Sequence, residues 1–223
     1  MVLRLIAAGI LLVAAFVAAP GSPPSPRTLL VLGDSISAGY GIHVEEGWVA
    51  LLQSRLQQQG YGYRVVNASV SGETTAGGLA RLPRALELHH PKIVIIELGG
   101  NDGLRGLPLE EISKNLEAMI AASRSSGALV LLVGMRMPAN YGATYVNGFQ
   151  DIYKQLSKRL ATPLVPFLLD GVALDSRLMQ WDQIHPTAFA QRKLLDNVWP
   201  VLKSLLGTRR TADASGIRHE HPR

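Results

Sequence analysis

A short, continuous apolar run followed by a stretch with helical spacing recurs five times between residues 28 and 206. No other feature limits the fold so tightly. The runs are "TLLVL", "YRVVNA", "KIVIIE", "ALVLLV" and "PLVPFL". Their apolar residues are consecutive rather than at alternate positions, so both of their faces must be covered. The segments between them, such as "LEEISKNLEAMIAASRSSG", repeat apolar residues every three or four positions. Strand, helix, strand in this order means an α/β fold with a parallel sheet and right-handed crossovers. Helices are expected over 45–60, 75–90, 109–127, 146–161 and 186–206. Pro83 is expected to start a second half of its helix. Pro186 is expected at the first position of the last helix, which Pro200 should kink or break.

The 223 residues, 47% of them hydrophobic, suffice for one domain with a large core. There is no cysteine, which excludes disulfides, zinc–thiolate sites and cysteine nucleophiles. The net charge is +5, but Arg209, Arg210, Arg218 and Arg223 crowd the C-terminus. No stripe of Lys and Arg interleaves with aromatics, so nucleic acid is not an expected partner. "HEHPR" near the end offers no third ligand group, and no metal is expected. "GDSISAG" lacks the glycine spacing of a phosphate-cradling loop, so no nucleotide cofactor is expected either. Arg4 followed by apolar residues from Leu5 to Ala19 reads as a secretory signal peptide, short of the ~20 residues a membrane-spanning helix needs. The expected organisation is a signal peptide over 1–19, a proline-rich spacer over 20–27, one domain over 28–206 and a flexible basic tail over 207–223.

In open parallel sheets ligands bind beyond the carboxyl ends of the strands. There the sequence collects its reactive groups. Ser35 follows the first strand, "NASVSGETT" the second and "GGNDG" the third, and "WDQIHP" precedes the last helix. Together they supply the parts for acyl transfer. Ser35 needs a base to become a nucleophile. His185 is the candidate base, since imidazole is the side chain suited to proton transfer near neutral pH, and Asp182, three residues earlier, can accept from its Nδ1–H and fix the tautomer. Gly72 and Ser35 can offer backbone N–H groups, and Asn101 a side-chain amide, to an oxyanion. Asp34 and Asp102 are expected to hold their loops by hydrogen bonds. His43, His89 and His90 are expected at the surface. "NAS" at Asn67 fits a glycosylation acceptor, but a glycan there would block this edge.

"GDSISAGYG", "NASVSGET", "ELGGNDGLRG" and "DQIHP" resemble, in order, the sequence blocks of the SGNH (GDSL-type) hydrolases. Within that family the resemblance is nearest to the bacterial periplasmic acyl-CoA thioesterase, protease and lysophospholipase (arylesterase) group, and it runs from about Thr28 to about Leu206. It implies a three-layer α/β/α sandwich with a flavodoxin-like sheet of order 2-1-3-4-5. It implies Ser35 as nucleophile with Asp182 and His185, an oxyanion hole of Ser35, Gly72 and Asn101, and no cofactor. It also implies a mobile loop over the acyl chain from Gly103 through Leu104 and Leu107 to Pro108. Ile36 replaces the leucine of the name motif. Gln183 stands where many relatives carry glycine, so a positive φ there would strain the chain.

Leu104, Leu107, Leu109, Met135, Met137, Tyr141 and Tyr145 flank the expected site and can form an apolar groove for an acyl chain. The expected function is hydrolysis of acyl thioesters, lysophospholipids and simple or aryl esters by an exported monomer, with a small ester as its partner and no membrane insertion after signal cleavage. The alternatives are a carbohydrate-ester deacetylase on the same fold and a non-catalytic lipid-binding relative.

Overall fold

The computed structural model of the chain describes residues 26–208. The expected signal peptide, most of the spacer and most of the basic tail lie outside the described residues. In chain order the elements are β1 (Arg27–Gly33), α1 (Ser35–Ala38), α2 (Trp48–Gln58), β2 (Tyr63–Asn67), α3 (Thr75–His89), β3 (Ile93–Glu97), α4 (Gly100–Leu104), α5 (Leu109–Ser125), β4 (Leu129–Val133), α6 (Ala143–Leu160), β5 (Leu164–Val165) and α7 (Gln191–Lys203). The sheet has five parallel strands in the order β2-β1-β3-β4-β5, as the resemblance implies.

β1 lies next to the middle of the sheet, with Leu29 paired to Val65 on one side and Ile93 on the other. Leu29, Leu30, Val31 and Leu32 are wholly buried. Burial of each such side chain stabilises the fold by about 1.5–3 kcal/mol. The chain leaves β1 to one side and then crosses back. Right-handed crossovers therefore place α2 on one face and α3, α5 and α6 on the other. α7 returns to pack against α2, and Trp48 N–H donates to Gln191 Oε1 at 3.0 Å where the two helices begin.

Pro83 and Pro200 both sit inside continuous helices, so Pro200 does not break its helix, and the expectation for Pro186 is corrected. α3 runs unbroken through Pro83, and α7 continues past Pro200 to Lys203. Both prolines are exposed, so the carbonyls they leave unpaired one turn earlier can face water. Pro186 does not open the last helix. It forms a bridge with Met179, closing a small hairpin, and α7 starts at Gln191 after a 3₁₀ turn over Ala188–Ala190. Two one-turn helices were not expected. α1 and α4 begin directly after β1 and β3, and they carry Ser35 and Asn101.

Candidate active site

Asp34 is the N-cap of α1, its Oδ1 accepting from Ile36 N–H at 3.0 Å. The cap holds Ser35 at the first helical position, above the carboxyl end of β1. His185 comes from the hairpin of residues 179–186. His185 O accepts from Gln180 N–H at 2.7 Å, and Gln180 O accepts from Gln183 N–H at 3.0 Å. Gln183 does have a positive φ of 58°, so the strain foreseen there is present. Its side chain offsets part of this by donating to Gln180 O at 3.0 Å.

The turn folds Asp182 back under His185. Asp182 Oδ1 accepts from the N–H groups of Ile184 and His185 at 2.9 and 3.0 Å. Asp182 Oδ2 lies 2.6 Å from His185 Nδ1, and His185 Nε2 lies 2.8 Å from Ser35 Oγ. Burial pushes the Asp182 carboxyl up, but the hydrogen bonds from His185 and Ile184 outweigh it, and the group falls to about 2. An ionised carboxylate only accepts, so Nδ1 carries the imidazole proton and Nε2 is left to accept from the serine hydroxyl. The Tyr40 ring lies against the imidazole, with centroids 4.4 Å apart.

The loop after β2 is tied to β1 by Ala68 N–H to Val31 O and Val70 N–H to Gly33 O, at 2.8 and 3.0 Å. Within it Gly72 has a φ of +78°. A side chain there would meet no neighbour, so the backbone conformation alone calls for glycine. Arg105 donates to Gly72 O at 3.1 Å. Asn101 Nδ2 donates to Glu73 O at 3.0 Å and approaches Asp34 Oδ2 at 3.3 Å. The first bond orients the amide. The second is long and correspondingly weak. Gly99, with a φ of +114°, lets the chain pass beneath Asn101; a Cβ there would collide with the Tyr153 hydroxyl. Asp102 holds the start of α3, accepting from Thr75 N–H at 2.9 Å and from the Thr75 hydroxyl at 2.5 Å.

Ser35, Asn101 and His185 line a cavity of about 540 Å³. Asp182 sits behind His185, and Gly72 does not line the cavity; its neighbour Glu73 is tied by its carbonyl to Asn101, which does. Leu104, Met135 and Met137 line it as expected. Gly103, Leu107, Pro108 and Tyr141 do not. Gly103 is covered by Met137, leaving no room for a Cβ. The Tyr141 hydroxyl donates to Leu104 O at 2.9 Å and the Tyr145 hydroxyl to Leu107 O at 2.7 Å, so these tyrosines strap the 103–108 loop from outside. Most of the remaining apolar wall was missed: Phe167, Leu169, Ala173, Leu174, Met179 and Ile184 come from the long connection between β5 and α7, and Ile36, Pro138 and Ala139 complete it. The apolar residues of that connection have no helical period, which is the signal that could have marked them.

Beneath the site lies a second carboxyl group that the sequence did not reveal as buried. Glu97, at the end of β3, is wholly buried. Its Oε2 accepts from the Ser37 hydroxyl at 2.6 Å, and Trp48 Nε1 donates to that hydroxyl at 3.2 Å. Burial, and then the neighbouring Asp34, push the Glu97 carboxyl well above its ordinary range. Burial likewise raises Asp34, from 3.8 to about 6. A carboxyl raised on folding keeps its proton in the native state while the unfolded chain has lost it. Through Asp34, stability therefore falls as pH rises from about 4 to about 6. For Asp34 this amounts to about 2 kcal/mol between pH 4.5 and 7. Asp34→Asn keeps the cap and removes the titration. Urea midpoints at the two pH values should show the variant gaining on the parent as pH rises; a parallel pH dependence in both proteins would remove Asp34 as the cause.

The sequence pattern of the GDSL-like Lipase/Acylhydrolase family matches residues 31–193. Esterase TesA of Pseudomonas aeruginosa is 54% identical over 180 residues, covering 81% of this chain and 90% of that protein. Thioesterase 1/protease 1/lysophospholipase L1 of Escherichia coli K12 is 44% identical over 169 residues, covering 76% of this chain and 80% of that protein. Among solved structures, TesA superimposes with a TM-score of 0.79 over 81% of this chain and all of its own. The psychrotrophic esterase EstA from Pseudoalteromonas, inhibited there by monoethylphosphonate, gives 0.77 at 40% identity, over 82% of this chain and all of its own.

Proposed function

The chain belongs to the GDSL-like lipase/acylhydrolase family, and from that premise we propose how it works: it is a serine ester and thioester hydrolase in which Ser35 carries the acyl group. The observation that supports these roles is the hydrogen-bonded series Asp182–His185–Ser35 opening on an apolar cavity. Ser35 Oγ attacks the carbonyl carbon as its proton passes to His185 Nε2. Asp182 stays ionised and stabilises the imidazolium. His185 then gives the proton to the leaving alcohol or thiol, and the acyl group remains on Ser35. Water attacks the acyl-enzyme with His185 again as base, releasing the acid and restoring the serine. The N–H groups of Ser35 and Gly72 and the Asn101 amide stabilise the oxyanion at each tetrahedral stage.

The cavity is of the size that holds a small ligand, and its wall is mainly apolar, which suits an acyl chain. The names of the relatives point the same way, to thioesters, lysophospholipids and other esters. The apolar stretch behind Arg4 supports export of the protein. No helix among the described residues is long and apolar enough to cross a membrane. A hydrolysis panel tests the substrate reading. Medium- and long-chain acyl thioesters and lysophospholipids should be cleaved with higher kcat/KM than acetylated sugars. The reverse order would make the protein a carbohydrate-ester deacetylase.

Asn101→Ala separates an oxyanion donor from a turn former. Charge on the substrate oxygen grows only in the transition state, so the loss falls on turnover. The variant should lose about 10²–10³ in kcat, or roughly 2.7–4 kcal/mol, with little change in KM. Tm and kcat on the same preparation decide the matter: a lowered Tm with near-normal kcat would remove Asn101 from the oxyanion hole.

A further inference from the structure

Nine large apolar side chains among the described residues are strongly exposed, and seven of them lie at the carboxyl edge of the sheet. Only Leu88 and Leu129 lie at the opposite edge, at the end of α3 and the start of β4. Four of the seven, Leu174, Trp181, Ile184 and Phe189, belong to the connection that carries Asp182 and His185. Leu174 and Ile184 also line the cavity, so the apolar wall runs out of the pocket onto the surface without a polar break at these two residues.

Trp181 occupies the second position of the turn closed by Gln183 N–H on Gln180 O. The same turn that folds Asp182 under His185 displays the indole outward, where it is 92% exposed. Phe189, in the 3₁₀ turn leading into α7, is 88% exposed. Large exposed apolar groups clustered at one opening mark an interaction surface. An indole, apolar in body with one polar N–H, suits a lipid–water boundary.

Arg136 lines the cavity, its guanidinium 4.7 Å from the centre of the Phe167 ring. Arg105 stands beside Leu104 and is exposed. Neither arginine has a carboxylate partner among the described ion pairs. Two cations at an apolar opening complement phosphate headgroups above acyl chains. Glu45 and Glu46 are exposed near the same edge and oppose this attraction, so the apolar side chains must carry most of the contact.

We propose that the rim formed by Leu174, Trp181, Ile184 and Phe189 docks on an anionic phospholipid surface, so that a single-chain lipid can pass from that surface into the cavity without crossing water. The inference rests on the reading of this site as an acyl-ester hydrolase, and its test is built to fail separately. Vesicle binding is measured on the full chain carrying Ser35→Ala, which cannot turn over lipid. The vesicles contain equal phosphatidylglycerol and phosphatidylcholine.

Trp48 is wholly buried and Trp199 is half-buried against the Tyr61 ring, so Trp181 is the indole whose emission a surface can move. Its emission should shift to the blue on vesicles and be quenched by lipids brominated in their acyl chains. An N-terminal apolar segment binding by itself would cause neither. Phe189→Ser should weaken binding about tenfold, leave kcat/KM on p-nitrophenyl acetate unchanged and lower the rate on micellar lysophospholipid. No shift and no quenching, in a protein that hydrolyses dissolved lysophospholipid, would overturn the docking surface and leave the hydrolase reading intact. A protein that binds vesicles through Trp181 but hydrolyses no acyl ester in its Ser35 form would overturn the hydrolase reading instead. Concentration-dependent dimers abolished by Trp181→Ser, with no vesicle binding, would make the rim an interface between two copies and contradict the proposal.

Discussion

Ser35→Ala is expected to lower kcat by about 10⁶-fold, because nucleophile and base act as a unit and the loss of either removes the covalent route. The fold should be spared. The Ser35 hydroxyl bonds only to His185 Nε2 among the described residues, at 2.8 Å, and that nitrogen borders the cavity. Water can replace the lost partner, so stability should change by no more than about 1 kcal/mol. The residual activity should come from binding and from the oxyanion donors alone. Steady-state turnover and Tm on the same sample test this. A folded variant retaining a tenth of parental activity would place the nucleophile elsewhere.

Asp182→Asn should cost on the order of 10⁴-fold in turnover, by analogy with the same substitution in another serine triad. Its side-chain oxygen can still accept from the N–H groups of Ile184 and His185, so the turn should hold. At the second position, 2.6 Å from His185 Nδ1, the carboxylate becomes an amide that donates. Nδ1 must then accept, the proton moves to Nε2, and Nε2 can no longer take the hydrogen of Ser35. The electrostatic support for the imidazolium is lost at the same step. KM should change far less than kcat. Activity within a few-fold of the parent would mean that another group orients His185 and that Asp182 only shapes the turn.

Legibility in the sequence followed the range of the forces involved. The strands could be read because their apolar residues are consecutive, even in the polar-ended edge strand β2, and the helices because their period is local. The proximity of Ser35 and His185 could be read because strand ends in a parallel sheet must share one edge, so the two converge across 150 residues. Propensity does not report exposure: Pro200 faces water and does not break its helix, and Pro83 is tolerated within α3 in the same way. Pro186 looked like a helix start, yet its bridge to Met179 is a tertiary pairing that builds the turn beneath His185. The Glu97–Ser37–Trp48 network was invisible for the same reason, since it joins residues 60 and 11 positions apart by contacts with no local pattern. Tyr141 reads as a lining residue by composition alone. Its hydroxyl, engaged by Leu104 O, makes it a strap.

The central claim is that Ser35 is an activated nucleophile, and labelling with a fluorophosphonate tests it most directly. The hydroxyl of an ordinary exposed serine does not attack such a phosphorus centre at neutral pH, whereas one whose proton His185 can accept does. The native protein should gain the mass of one phosphonyl group. Peptide mapping should place it on Ser35, and Ser35→Ala should gain none. An unlabelled native protein that still hydrolyses esters, or an adduct mapped to any other residue, would contradict the account.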